Sequence, residues 1–231
     1  MNLVEKRRQF EKTKSIYESA KLTFIGVDGF DVYNTSIPFS YKNKTYLFGR
    51  VEKRDEWARS WVRLFESTGK DEWTLVPDSM IYQLEDPYIA FIHQELVMGG
   101  TYVRYKQGEI DTFYAYFYKG TELDNLYYFT TGPEYMKDIR LVQLENNQIG
   151  VFSRPRSEEI RQKYGSESIV GYTTINDLSE LTADVIENAP IIEGLFDKDE
   201  WGGCNQCYLL SSGHIGVIGH KCYNQLSDNG E

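Results

Sequence analysis

Four acidic residues recur along the 231-residue chain at a nearly even pitch, each inside or just before a β-like segment: Asp31 in DGFDVYN, Asp86 in QLEDPYI, Asp138 in MKDIRLV and Glu200 in KDEWGGCN. The gaps, about 55, 52 and 62 residues, match one four-stranded propeller blade with a modest insertion. If each carboxylate opens the innermost strand of its blade, all four converge on one central funnel. Acid/base cleavage of a glycosidic bond needs such convergence, with one carboxyl protonating the departing oxygen while another activates the attacking group.

Other residue types cluster near these acids. Arg50, Glu52 and Arg54 alternate in GRVEKR and share one face if that segment is a strand. An Arg pair facing the funnel suits bidentate binding of phosphate, a sugar carboxylate or a catalytic acid; an edge ladder of salt bridges gives the same alternation. Arg140 shares a strand face with Asp138, and Arg154 and His220 add further donors. Asn34, Asn205 and Trp201, which sits beside Glu200 as a stacking platform, complete the candidate substrate- or phosphate-binding set. Pro87 is expected to hold Asp86 in an extended backbone, although an Asx turn before Pro87 accounts for the same pair. Cys204 and Cys207 stand three apart, and on a strand such positions face opposite ways, which argues against zinc unless the segment turns. SSGHIGVIGH lacks the spacing of a dinucleotide loop. The sequence calls for no metal and no cofactor.

The elements that must position these groups read as antiparallel β. Residues 1–20 form a charged, peripheral helical segment, and from Lys21 short alternating runs are broken by turn residues. Strands are expected in KTYLFGRVE, SWVRLFES, PYIAFIH, ELVMGGTYVRY, DTFYAYFY, DIRLVQL, IGVFSRP, SIVGYTT, QCYLLSS and HIGVIGHKCY. Turns are expected at Lys42-Asn43, Thr68 to Asp71, Gln107-Gly108, Lys119-Gly120, Asn146-Asn147 and Ser212-Gly213. One helical insertion is expected in DLSELTADVIENAP, where Asp177 caps the first turn, Glu180 completes a capping box and Pro190 stops the run. That insertion lengthens the third gap of the acidic series. Residues 21–231 are read as one propeller domain with room for four blades, its last blade incomplete at the C-terminus.

Composition narrows the partners. The net charge of −10 offers no basic footprint for nucleic acid or an anionic membrane. Neither a secretory leader nor an apolar run of spanning length is visible, and three clustered cysteines fit a reducing cytoplasm. Aromatics make up 15 % of the chain, with 18 Tyr, which suits both strands and sugar-stacking surfaces.

Together, GFDVYNTSIPF, YLFGRVEKRDEW, LEDPYIAFI, VMGGTYVRY, MKDIRLVQL, GVFSRP and EWGGCNQCYLL resemble an uncharacterised bacterial family of the five-bladed propeller glycosidase type. Its wider kin are the hydrolases of glycoside hydrolase family 43 and the mannoside phosphorylases of family 130. The resemblance runs from about Lys21 to Tyr223 and implies an all-β propeller acting on carbohydrate, with water or inorganic phosphate as attacking group. It implies Asp86 as proton donor, Asp31 as water-activating base, Asp138 as the acid that adjusts pKa values and Glu200 as an alternative donor. Glu85 and Asp31 could supply the like-charged surroundings that a proton donor needs. Tyr88 stands where the phosphorylases carry Arg after EDP. For hydrolysis with inversion, Asp31 and either Asp86 or Glu200 should lie roughly 6.5–9.5 Å apart across an open funnel. A cluster of three Arg or Lys with an acid points instead to phosphorolysis. A non-catalytic propeller that binds a sugar or a protein is the alternative, because fold alone does not establish activity.

Overall fold

The computed structural model describes residues 3–53, 55–56 and 59–223. Helix α1 (Leu3–Thr13) precedes the sheets and ends well before Ala20. The first sheet contains β1 (Thr23–Ile25), β2 (Asp31–Tyr33), β3 (Phe39–Tyr41), β4 (Lys44–Glu52), β5 (Trp61–Gly69) and β6 (Glu72–Leu75). The second is β7 (Glu85–Ile92), β8 (Glu95–Lys106), β9 (Glu109–Gly120) and β10 (Tyr127–Thr131), paired in that order. The third is β11 (Arg140–Gln143), β12 (Ile149–Ser153) and β13 (Gly171–Ile175), with α2 (Glu158–Tyr164) between its last two strands. A 3₁₀ turn (Leu178–Glu180) and α3 (Ala183–Glu187) lead to the fourth, β14 (Glu200–Leu209) with β15 (Ile215–Tyr223).

Within the sheets every pairing is antiparallel except that of β1 with β6. The sheets succeed one another as propeller blades do, with β4 beside β7, β7 beside β11 and β11 beside β14. The two-residue periodicity of strands explains why they pack so. In β7, Ile89 joins Phe48, Val62 and Met98 between the first and second sheets. Its neighbours Tyr88 and Ala90 point the other way, to Phe117, Leu141 and Val151 between the second and third. In β11, Leu141 faces the second sheet and Val142 faces the fourth, in one cluster with Cys204 and Cys207 of β14. A strand buried on both faces therefore glues two blade interfaces at once, and each fully buried aliphatic side chain contributes about 1.5–3 kcal/mol.

All ten expected strands form. Lys42 and Asn43 both adopt positive φ (44° and 64°), as a two-residue hairpin turn demands. The turn expected at Lys119-Gly120 lies later: Gly120 still pairs with Leu96, so the ladder outlasts the glycine. In the helical insertion Asp177 accepts from Ser179 N at 2.8 Å and Glu180 from Asn176 N at 3.0 Å. The helix α2 was not anticipated, although Ser157 caps its start, two acids open it and Gly165 ends it at φ 64°.

Candidate active site

A cavity of about 520 Å³ opens where the second, third and fourth sheets begin. It collects Asn34 from the segment after β2, Asp86 at the start of β7, and Lys137, Asp138 and Arg140 at the start of β11. Arg154 and Arg156 come from the end of β12, Trp201 and Asn205 from β14, and His220 from β15. Asn34, Asp86 and Asp138 share one backbone conformation, with φ of 46°, 49° and 58°. Asn and Asp tolerate this left-handed region better than other residues with a Cβ. They are also evenly spaced, 52 residues apart in each interval. The recurring position is thus Asn34, Asp86, Asp138, and Asp31 is not part of it. The extended backbone expected for Asp86 gives way to a left-handed one, because the Asp86-Pro87 step sits in a β-bulge between Glu85 and Tyr88. Bulges beside a site re-aim side chains, and here the bulge swings Asp86 toward the cavity.

Behind Asp86 stands Arg50. Its Nη1 donates to Asp86 Oδ1 at 3.0 Å, while Nη2 reaches Glu52 Oε2 at 2.6 Å and Glu85 Oε1 at 3.2 Å. Arg50 and Glu52 do share a strand face, as their alternation requires, and the Arg serves as clamp for an acid. Asn34 Nδ2 donates to the same Asp86 oxygen at 2.8 Å. Burial alone would raise Glu52, but the Ser60 hydroxyl, Arg50 and the Tyr33 hydroxyl outweigh it and hold the carboxyl below its usual range. Glu85 behaves oppositely: burial pushes its carboxyl up, Arg50 only partly opposes this, and Asp86 adds repulsion.

Asp138 has the reverse company. Arg154 Nη1 donates to its Oδ2, and Arg140 Nη2 approaches Oδ1 at 3.4 Å. Burial would raise Asp138, yet Arg140, Arg154 and Lys137 hold it below the usual carboxylate range. Both guanidiniums are anchored elsewhere too. Arg140 Nε donates to Asn205 O at 2.7 Å, and Arg154 Nε to Gly202 O at 2.8 Å. Arg140 lies 4.4 Å over the ring of Tyr88, which gives that aromatic a supporting role. A Cβ on Gly203 would come within 2.9 Å of Arg154 Cδ and Nε, so the glycine lets the Arg lie flat across β14. His220 Nδ1 pairs with Asn205 Oδ1 at 2.9 Å; burial and the nearby Arg154 lower its pKa. Trp201 packs edge-on to His220 and beneath Arg154, and its indole N–H is buried with no partner among the described residues.

Eight of the candidates therefore line one cavity: Asn34, Asp86, Asp138, Arg140, Arg154, Trp201, Asn205 and His220. Arg50 reaches it through Asp86. Arg54 lies outside the described residues. Glu200 is not among the lining residues. It is buried, paired with Lys221 at 2.5 Å and accepting from the backbone N–H groups of Asp197 and Leu3, so it ties the N-terminal helix to the fourth sheet. Asp31 is exposed and also off the lining. Cys204 and Cys207 do not face opposite ways: a bulge between Cys204 and Gln206 shifts the parity and buries both against Val142, Phe152 and Val170. Among the described residues no group of His, Cys, Asp or Glu has the arrangement of a metal site. Lys137 and Arg156 were missed, though MKD and RPR place each cation within two residues of a chosen group. Ser168, which accepts from Arg154 Nε at 3.2 Å, carried no local signal.

A family model described as "Protein of unknown function (DUF1861)" matches residues 8–231. The chain belongs to that family. A DUF1861 chain of this sequence is 50 % identical to MPT-4, a mannose phosphorylase from Leishmania mexicana solved in complex with phosphate ion; the match covers 99 % of this chain and 69 % of that one, with a TM-score of 0.91. It is 44 % identical to MPT-1, a GDP-Man-dependent mannosyltransferase from the same organism, over 100 % of this chain and 70 % of that one, with a TM-score of 0.90. A thermostable family-43 glycoside hydrolase shares the fold at 12 % identity and a TM-score of 0.54, over 80 % of this chain and 64 % of that one. No curated protein matches the sequence. The solved relatives bear out the glycosidase-type propeller fold. No helix among the described residues is long and apolar enough to cross a membrane.

Proposed function

We propose that this DUF1861 chain is a carbohydrate-active enzyme that moves a mannosyl group between a saccharide and inorganic phosphate. The observation that carries this reading is the cationic wall of the cavity, Arg140 and Arg154 buried around Asp138 with Lys137 and Arg156 beside them, on the same cavity as Asp86. Each guanidinium offers five N–H donors, more than a single shared carboxylate can take, so capacity is left for an anion. A phosphate oxygen forms the new bond to the anomeric carbon as the carbon–oxygen bond to the departing sugar breaks. The Asp86 carboxyl gives its proton to that departing oxygen and regains one as the phosphate loses its own. Trp201 and His220, set edge to face, line the cavity where the pyranose ring would lie. The 50 % identity to a mannose phosphorylase supports both phosphate and the sugar class.

A second reading keeps the mannosyl transfer and replaces phosphate by a nucleotide-sugar donor, supported by the 44 % identity to the GDP-Man-dependent relative. Both are tested by incubating the protein with mannose 1-phosphate or GDP-mannose and manno-oligosaccharide acceptors, and measuring released phosphate or GDP beside an Asp86→Asn control. Phosphate release that needs an acceptor is the expected result. Release of GDP alone selects the second reading. Free mannose formed from the oligosaccharides without phosphate would select hydrolysis, and no turnover on any substrate would leave a non-catalytic carbohydrate binder. Three free thiols, two of them buried, favour a reducing compartment for the protein.

A further inference from the structure

Asp86 does not meet Arg50 alone. Three carboxylates, Glu52, Glu85 and Asp86, lie within 3.2 Å of one guanidinium whose side chain is only 11 % exposed. Glu52 is the most committed partner, since Arg50, the Ser60 hydroxyl and the Tyr33 hydroxyl all donate to it. Arg50 and Glu52 together are neutral, so Glu85 and Asp86 face a cation that is already balanced. Ionising one of them leaves the half-buried cluster at −1 and ionising the second at −2, which low-dielectric surroundings resist.

One neighbouring cation offsets part of this charge. Lys137 approaches from the start of β11, and its lowering of Glu85 ranks after burial, Arg50 and the repulsion of Asp86. Tyr105, from the end of β8, lies near Glu85 and is itself uncharged at neutral pH, its own pKa being raised by burial and by Glu85. Glu85 also lines a second cavity of about 570 Å³, walled by Trp61, Tyr102 and Tyr105 with Arg59 and Arg104 at its polar side. Asp86 lines the first cavity and Glu85 the second, as successive side chains of a strand point to opposite sides.

We infer that Glu85 is a positioning residue for the proposed reaction: by sharing Arg50 with Asp86 it makes the pair hold one proton between them, and it exchanges that proton with solvent from the second cavity while sugar covers the first. The inference rests on the reading of Asp86 as proton donor. Without Glu85, Arg50 would serve Glu52 and Asp86 alone. Two such coupled groups titrate in two separated steps that belong to the pair.

The test compares pH profiles of kcat/KM for phosphorolysis by the wild type and Glu85→Gln. Both share the titration of phosphate itself, so their difference isolates Glu85. The alkaline limb of the variant is expected about one pH unit lower, a tenfold change in proton concentration, with the acidic plateau of kcat retained. Superimposable profiles would overturn the inference. A measurement independent of turnover and of the variant's folding follows the carboxyl carbons of Asp and Glu by NMR in carbon-13-labelled wild type and Asp86→Asn, without substrate. Glu85 is expected to titrate in two steps in the wild type and in one, at lower pH, in the variant. A single ordinary step in both proteins refutes the shared proton. If Asp86→Asn turns over normally, the proton-donor reading falls, whereas the NMR titration still decides whether the proton is shared.

Discussion

The two acidic centres of the cavity have the same backbone and opposite surroundings. Asp86 and Asp138 open adjacent inner strands, 52 residues apart, with φ of 49° and 58°. At Asp86 one guanidinium serves three carboxylates; at Asp138 one carboxylate serves two guanidiniums. A repeat position thus fixes where a carboxylate points and leaves its chemistry to the side chains that the neighbouring strands bring. In the acid-rich centre burial pushes the Glu85 carboxyl up, whereas in the base-rich centre the arginines hold the Asp138 carboxyl below its usual range. Propellers combine such functions readily, because each blade delivers the same position to one cavity with different company.

That contrast can be broken at either end. The largest effect is expected for Asp86→Asn, which removes the transferable proton and should lower kcat by roughly 10²–10⁴-fold while the melting temperature stays near wild type. A thermally intact variant of full activity would dissolve the distinction. Next comes Arg154→Met, which leaves buried Asp138 with a single guanidinium. It should cost about 3–5 kcal/mol in urea unfolding and, where the protein still folds, raise KM for phosphate more than KM for the saccharide.

The pH dependence of stability sharpens the comparison without touching activity. The folded pKa of Asp138 is depressed by Arg140, Arg154 and Lys137 against the burial that would raise it. Its contribution is therefore complete above the unfolded value of about 4 and is lost as pH falls through the folded one. Urea midpoints should drop more steeply below about pH 4 for the wild type than for Asp138→Asn. Equal slopes would mean that the carboxylate is not held by its arginines.

Smaller effects are expected where the acids lie off the cavity. Glu200→Gln should lower stability by about 1 kcal/mol through its bonds to Lys221, Asp197 and Leu3, with kcat unchanged; a loss of turnover at unchanged stability would return Glu200 to the catalytic set. Asp31→Asn, exposed and off the cavity lining, should change kcat/KM by no more than about twofold, about 0.4 kcal/mol of transition-state stabilisation.

Local patterning carried most of the fold, because alternation, turn residues and the Asp177–Glu180 cap act over a few residues. Helix α2 had equally local signals in Ser157 and Gly165 and was legible in principle. The first acid was misassigned for a physical reason. Asp31 satisfies the repeat by residue type, but Asn34 satisfies it by backbone conformation, and positive φ is not written in a single side chain. The bulges at Asp86 and at Cys204 to Gln206 are likewise silent in sequence, since one extra residue in a ladder appears only when the partner strand is paired.

Local residue patterns set ten of the strands, the 52-residue recurrence of Asp86 and Asp138, and the presence of Arg50, Arg140 and Arg154 in nearby segments. Tertiary structure alone decided which acid meets which cation. Arg50 reaches Asp86 across 36 residues, and Arg154 reaches Asp138 from the next strand of its sheet, 16 residues on. Charge balance at a buried site depends on the count of partners within a few ångströms, and only the packing of blades sets that count.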